Sequence, residues 1–154
     1  MAGPAARLSE LGLTLPPVPL PTGPYAAWRR DGNQLWMAGM VPMTAQGILH
    51  PGMVGAEVSV EQAREAAELC VMNSLALAAR ALDGDLDRLT GCLKLTGIVR
   101  AGADFADHPA VINAASQRVV DLLGEAGRHA RIAWGTPSLP ANAPVLLDIV
   151  WLVN

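Results

Sequence analysis

The residues of this sequence best placed to do chemistry lie in the stretch 129–153, where one arginine, Arg131, stands between a helix end and a strand in otherwise apolar surroundings. A guanidinium stays charged at every physiological pH and presents a rigid fork of donors, so among apolar neighbours it requires a carboxylate partner. That partner is either internal or a bound ligand. The simplest internal partner is Asp148, the one charged residue in the body of the last apolar run, and an ion pair between the two would leave the arginine a structural task. His129 is a candidate general acid, or is satisfied by the last carbonyls of the helix before it. Tyr25 and Trp28 can stack on a ligand, or fill core or interface as hairpin aromatics commonly do. Asn113, on a helix face, is open to capping, bridging or ligand contact alike.

Other chemistries lack their residues. Cys70 and Cys92 form no Cys-x-x-Cys unit and sit in apolar segments, as packed, reduced thiols do. His50, His108 and His129 have no metal-ligand spacing to one another or to a cysteine, so no metal is expected. No P-loop, dinucleotide fingerprint or Gly-x-Ser-x-Gly elbow occurs, and no cofactor is indicated. A net charge of −3, with no Lys/Arg run beyond Arg29-Arg30, argues against nucleic acid as a partner. No stretch approaches the roughly 18 uninterrupted apolar residues of a membrane span, and no apolar signal region opens the chain. A cytoplasmic protein is expected.

The elements that must position these groups follow from periodicity. At 154 residues the chain is expected to form one domain with a real core, and with 51% hydrophobic but only 16% charged residues, part of its apolar surface is expected between subunits. Residues 1–24, with a short helical start at 5–11 stopped by Gly12 and then Pro16, Pro17, Pro19, Pro21 and Pro24, read as an extension wrapping the domain formed by 25–154. Strands are predicted over 25–30 and 34–40, turned at Asp31-Gly32-Asn33, and a long loop over 41–58. Ser59 with Gln62 makes a capping box for a helix whose small-residue stripe runs to about Gly84. A strand over 91–100 follows, with Leu93, Leu95 and Val99 on one side. A second helix from Pro109 carries Ile112, Ala115, Val119 and Leu122, and strands at 131–135 and 144–153 close the chain.

Two helices in so small a domain are expected on one face of the sheet. In the last strand Val145, Leu147, Ile149, Trp151 and Val153 line one side, and Leu146, Val150 and Leu152 make the other side apolar too, interrupted only by Asp148. A strand greasy on both faces is buried on both, so another subunit is expected to cover the second face. If Ile132 and Trp134 point into the helix-covered core, alternation puts Arg131, Ala133 and Gly135 on that second face.

Four motifs in order resemble the Rid family, the reactive intermediate deaminases or YjgF-type proteins. Arg131 stands eight residues ahead of Leu139-Pro140. Gly23-Pro24-Tyr25 resembles the family's Gly-Pro-Tyr, Met37 to Pro42 its Ser-Gly-Gln-x-Pro element, and Val111-Ile112-Asn113-Ala114 its Val-Asn-Ala. The resemblance covers nearly the whole chain, and the long first helix is similar to a longer, less characterised branch. It implies an α+β, chorismate-mutase-like domain, assembled as a homotrimer with ligand sites in the clefts between subunits. It further implies Arg131 as the substrate-carboxylate anchor, with Asn113, Tyr25 and Gly39 as further substrate-binding positions. In the deaminating members a Ser or Thr precedes the glycine, a Cys stands two residues after the arginine, and a Glu in the last strand helps to activate water. This chain has Ala38, Ala133 and Leu146 there. The expected function is hydrolysis of small imines or enamines derived from amino acids, with Asp148 as the substitute catalytic group; the alternative is a non-catalytic carboxylate-binding protein of the same fold. The endoribonuclease label carried by some relatives is opposed by the acidic charge and the lack of a basic groove with stacking aromatics.

Overall fold

The computed structural model describes residues 2–154. In chain order its elements are α1 (Pro4–Glu10), β1 (Trp28–Asp31), β2 (Gln34–Met37), β3 (Met43–Thr44), β4 (Gly47–Ile48), α2 (Val60–Ala81), β5 (Leu89–Arg100), α3 (His108–Leu123), β6 (Ala130–Thr136) and β7 (Val145–Val153). Short 3-10 turns precede β5, follow α3 and precede β7. Among the described residues no helix is long and apolar enough to cross a membrane.

The capping box forms as the sequence predicts. The Gln62 N–H donates to Ser59 Oγ at 3.1 Å and the Ser59 N–H to Gln62 Oε1 at 3.0 Å, so two otherwise unpaired donors start α2. The small residues Ala63, Ala66, Ala67 and Ala78 are fully buried, letting the helix approach the sheet closely. Trp151 Nε1 donates to Ser74 Oγ at 3.0 Å and ties the middle of α2 to β7.

The main sheet runs β1-β2-β7-β5-β6, and only β5 and β6 pair in parallel. Parallel neighbours need a crossover, and α3 supplies it, lying on the same sheet face as α2. A Cβ on Gly97 would meet Ile112 Cδ1 at 2.5 Å, so the absent side chain is what lets α3 settle onto β5.

Several expectations are corrected. The first strand begins at Trp28 and leaves Tyr25 outside it, exposed. The second ends at Met37, and Met40 pairs separately with Leu147. The 41–58 loop contains the β3–β4 hairpin. In β5 a register shift between Cys92 and Lys94 breaks the alternation, burying Cys92 and turning Leu93 outward. The helical start is Pro4–Glu10, and Leu8 is buried in the core.

The largest correction concerns β6. Leu95 is fully buried beneath the helices and pairs in register with Arg131, so Arg131 shares the helix-covered face. Ile132 and Trp134 therefore point to the uncovered face, 50% and 47% exposed. An edge strand tolerates this inversion because its arginine can reach sideways to polar groups on α3. In β7 the alternation holds: Val145, Leu147, Ile149, Trp151 and Val153 are buried against the helices, and Asp148 is exposed on the uncovered face.

Candidate functional site

Arg131 reaches from the edge strand to α3. Its Nη1 donates to Asn113 Oδ1 at 2.7 Å and to Ser116 Oγ at 3.3 Å. Ser116 Oγ in turn lies 3.0 Å from His129 Nε2, and His129 Nδ1 lies 2.7 Å from the Gly127 carbonyl oxygen. The last contact is the helix-end satisfaction open to His129 from the sequence. Burial, first, and the Arg131 charge hold the His129 pKa below the ordinary histidine value, while the bond to the Gly127 carbonyl opposes them. Both effects favour the neutral ring near pH 7. Among the described residues Arg131 Nε and Nη2 have no hydrogen-bond partner, so one edge of the guanidinium is uncommitted.

Ser116 is the group the sequence reading missed. Its signal was the i, i+3 spacing from Asn113, which sets two polar side chains side by side on one face of α3.

Asp148 does not pair with Arg131. Thr96 is in register with both Asp148 and Ile132, which puts Asp148 on the uncovered face, opposite the face that Arg131 shares with Leu95 and Ile149. The expected internal ion pair is thereby removed by side-chain alternation on adjacent strands. Desolvation raises the Asp148 carboxyl above its ordinary value.

Tyr25 and Gly39 belong to a second group of residues. With Ala38, Met40 and Leu77 they line a hollow of about 350 Å³, one wall of which is the Pro-rich segment 18–22. Asn73 Nδ2, buried on α2, donates to the carbonyls of Val41 and Met43 at 3.2 and 3.1 Å and holds in place the part of the lining that residues 41–43 form. A Cβ on Gly39 would meet Leu146 Cδ2 at 3.2 Å, so Leu146 lies directly against this glycine. Trp28 starts β1 and packs on the core. The two groups are far apart within one chain, because β2 and β6 are separated by three inter-strand spacings, about 14 Å. Arg131 with Asn113 occupies one sheet edge, and Tyr25 with Gly39 lies toward the other.

The buried thiols take no part in either group. Burial raises the Cys70 pKa well above the thiol value and pushes Cys92 up to about 12, so both stay protonated and weakly reactive.

Comparisons with known proteins agree with this architecture. A family model described as "YjgF/chorismate mutase-like, putative endoribonuclease" matches residues 5–153. A Trypanosoma cruzi protein, TCP17, is 34% identical over 151 residues, which covers 97% of this chain and 94% of the relative. A protein of unknown function from Agrobacterium tumefaciens is 41% identical with a TM-score of 0.89, over 98% of this chain and 94% of that one. A Shewanella oneidensis protein described as a putative endoribonuclease is 30% identical with a TM-score of 0.92, over 99% and 100% of the two chains. Escherichia coli TdcF with bound serine, 15% identical with a TM-score of 0.59 over 88% and 93% of the chains, shares the fold alone. On the family match over almost its full length, with its α+β fold and motifs in agreement, the chain belongs to the YjgF, or Rid-type, family.

Proposed function

We propose that this protein binds small carboxylate-bearing metabolites at Arg131 and hydrolyses imines or enamines derived from amino acids, in a cleft completed by a second copy of the chain. The observation that carries the proposal is the uncommitted Nε–Nη2 edge of a guanidinium whose Nη1 is already held by Asn113 and Ser116. Such an edge matches a carboxylate with two parallel charged hydrogen bonds. The serine bound to the TdcF structure is a carboxylate of this size class.

The separation of Arg131 from Tyr25 and Gly39 argues for the second copy. A cyclic trimer joins unlike surfaces head to tail, and in the proposed one the β6 edge of one copy meets the β1–β2 side of the next. The uncovered face, with Trp36, Ile132 and Trp134 exposed on it, supplies the apolar area for that contact. A homotrimer is the proposed assembly. In the cleft, Arg131 and Asn113 come from one copy and Tyr25 and Gly39 from the next.

Imine hydrolysis adds water to the C=N carbon and releases ammonia, so it needs an anchor, a placed water and a proton carrier. Asp148, two residues from Leu146 on the uncovered face of β7, is the proposed water-activating group, reaching the cleft from the copy that also contributes Tyr25 and Gly39. A carboxyl with a raised pKa can both take and return a proton.

Arg131→Ala is expected to abolish binding of pyruvate and related 2-oxo acids, with a loss on the order of 2 to 5 kcal/mol, while the domain stays folded. Equal affinity in parent and variant would move the site elsewhere. A second reading, a binding protein without turnover, is favoured by Ala38, Ala133 and Leu146 at the positions of the active members' polar groups. Short-lived imines generated by an amino-acid oxidase separate the two readings. Acceleration over the spontaneous rate that falls in Asp148→Asn supports the enzyme, and no acceleration by the parent leaves the binding protein.

A further inference from the structure

We infer that Ser116 and His129 position Arg131 for its ligand, as a one-way hydrogen-bond relay that takes up Nη1 and leaves Nε and Nη2 together as the ligand-facing edge. This rests on the reading of Arg131 as a carboxylate anchor and adds the residues that set its orientation.

The direction of the relay follows from donor and acceptor chemistry. The Gly127 carbonyl can only accept, so His129 Nδ1, 2.7 Å away, carries the ring proton. In the neutral ring Nε2 is then bare, and it accepts the Ser116 hydroxyl proton at 3.0 Å. With its proton spent on the histidine, Ser116 Oγ presents lone pairs to Arg131 Nη1 at 3.3 Å. Asn113 Oδ1 takes the other Nη1 proton at 2.7 Å. Both protons of Nη1 are thereby committed before any ligand arrives.

The cost of leaving this relay unmade explains why it is built. His129 and Ser116 are both half-buried, and each finds partners inside the protein that offset its partial loss of water. An arginine has a long, rotamer-rich side chain, and ordering it only on binding would subtract from affinity. Holding Nη1 in advance removes much of that loss, and fixing the guanidinium plane sets the direction from which a carboxylate can approach in bidentate fashion. The relay thus acts through Arg131, without contact of its own to the ligand.

The test uses the full chain and pyruvate as probe, titrated by calorimetry. Ser116→Ala and His129→Ala are expected to weaken binding about threefold to tenfold, the effect of one lost neutral hydrogen bond, with the oligomeric state unchanged. Ser116→Thr keeps the hydroxyl, and His129→Gln offers an acceptor oxygen near the Nε2 position, so both are expected to restore affinity close to that of the parent. A merely structural pair would show no such rescue of binding. Two ligand-independent measurements accompany the titration: nitrogen NMR of His129, expected to show the Nδ1–H tautomer, and relaxation of the Arg131 Nε–H, expected to be ordered in the parent and mobile in Ser116→Ala. Parent-like pyruvate affinity in both alanine variants, an Nε2–H tautomer, or equal Arg131 mobility in parent and variant would overturn the relay. A parent that binds no 2-oxo acid, yet shows the tautomer and the ordered arginine, would instead overturn the carboxylate reading and keep the relay.

Discussion

At Arg131 the decisive property is which end of the guanidinium the fold has already used. Nη1 is tied to α3 and the other edge is left, a division that neither charge nor exposure alone would report. The histidine behind Ser116 carries a testable consequence for stability. Its folded pKa is lowered, so in the window between that value and the ordinary value of about 6.5 the unfolded chain binds more protons than the folded one. Stability should therefore rise with pH across this window, and the loss on acidification is complete once the pH lies below it. Replacing the titrating ring in His129→Gln is expected to flatten this part of the curve of denaturant midpoint against pH; an unchanged slope would assign it to other groups. Asp148 has the opposite sign. Its raised carboxyl contributes stability that is present at low pH and lost as pH rises through the folded value, so Asp148→Asn is expected to raise the melting temperature at pH 7. A lower melting temperature would show that the ionised carboxylate has a favourable partner in the assembly.

The elements place these residues through a few local decisions. The Ser59–Gln62 box sets where α2 starts, and Ser59→Ala is expected to cost about 1 kcal/mol and a few degrees of melting temperature, read by thermal unfolding. Gly97 decides how closely α3 lies on β5, and through α3 it decides where Asn113 and Ser116 stand relative to Arg131. Gly97→Val would drive a side chain into Ile112. It is expected to cost about 1 to 3 kcal/mol through overpacking and to weaken carboxylate binding as well, because it shifts the helix that holds Nη1. A destabilised variant with parent-like affinity would separate the helix position from the site. Gly135 acts similarly at the other end of β6, where a Cβ would run into the His108 ring.

On the scale of the whole molecule, the helices cover one face of the sheet and leave Trp36, Ile132 and Trp134 on the other. The candidate site divides across the sheet rather than between its faces, with its two groups toward opposite edges. Trp134→Asp is expected to break the proposed trimer into species of 16.1 kDa in sedimentation while the circular dichroism stays that of a folded domain. Pyruvate binding should fall with the trimer. If the variant sediments as the parent does, the uncovered face is not the contact, and a monomeric variant with full affinity would mean that Arg131 needs no second copy.

Much was legible in the sequence because the signals were local. The capping box, the small-residue stripe of α2, the alternation of β7 and the order of elements all depend on residues a few positions apart, and each appears in the structure with boundaries shifted by a few residues. The family motifs likewise lie within short segments. What the tertiary structure alone decided was which way β6 faces. Alternation states that Arg131 and Ile132 lie on opposite sides but is symmetric between the two choices. Only the parallel register with β5, set by the α3 crossover, pairs Arg131 with buried Leu95 and Ile132 with Thr96. That one choice separated Arg131 from Asp148 and joined it to Asn113, Ser116 and His129. The bulge at Cys92–Lys94 belongs to the same class, since an extra residue in a ladder is defined by the partner strand and leaves no periodic trace in its own sequence.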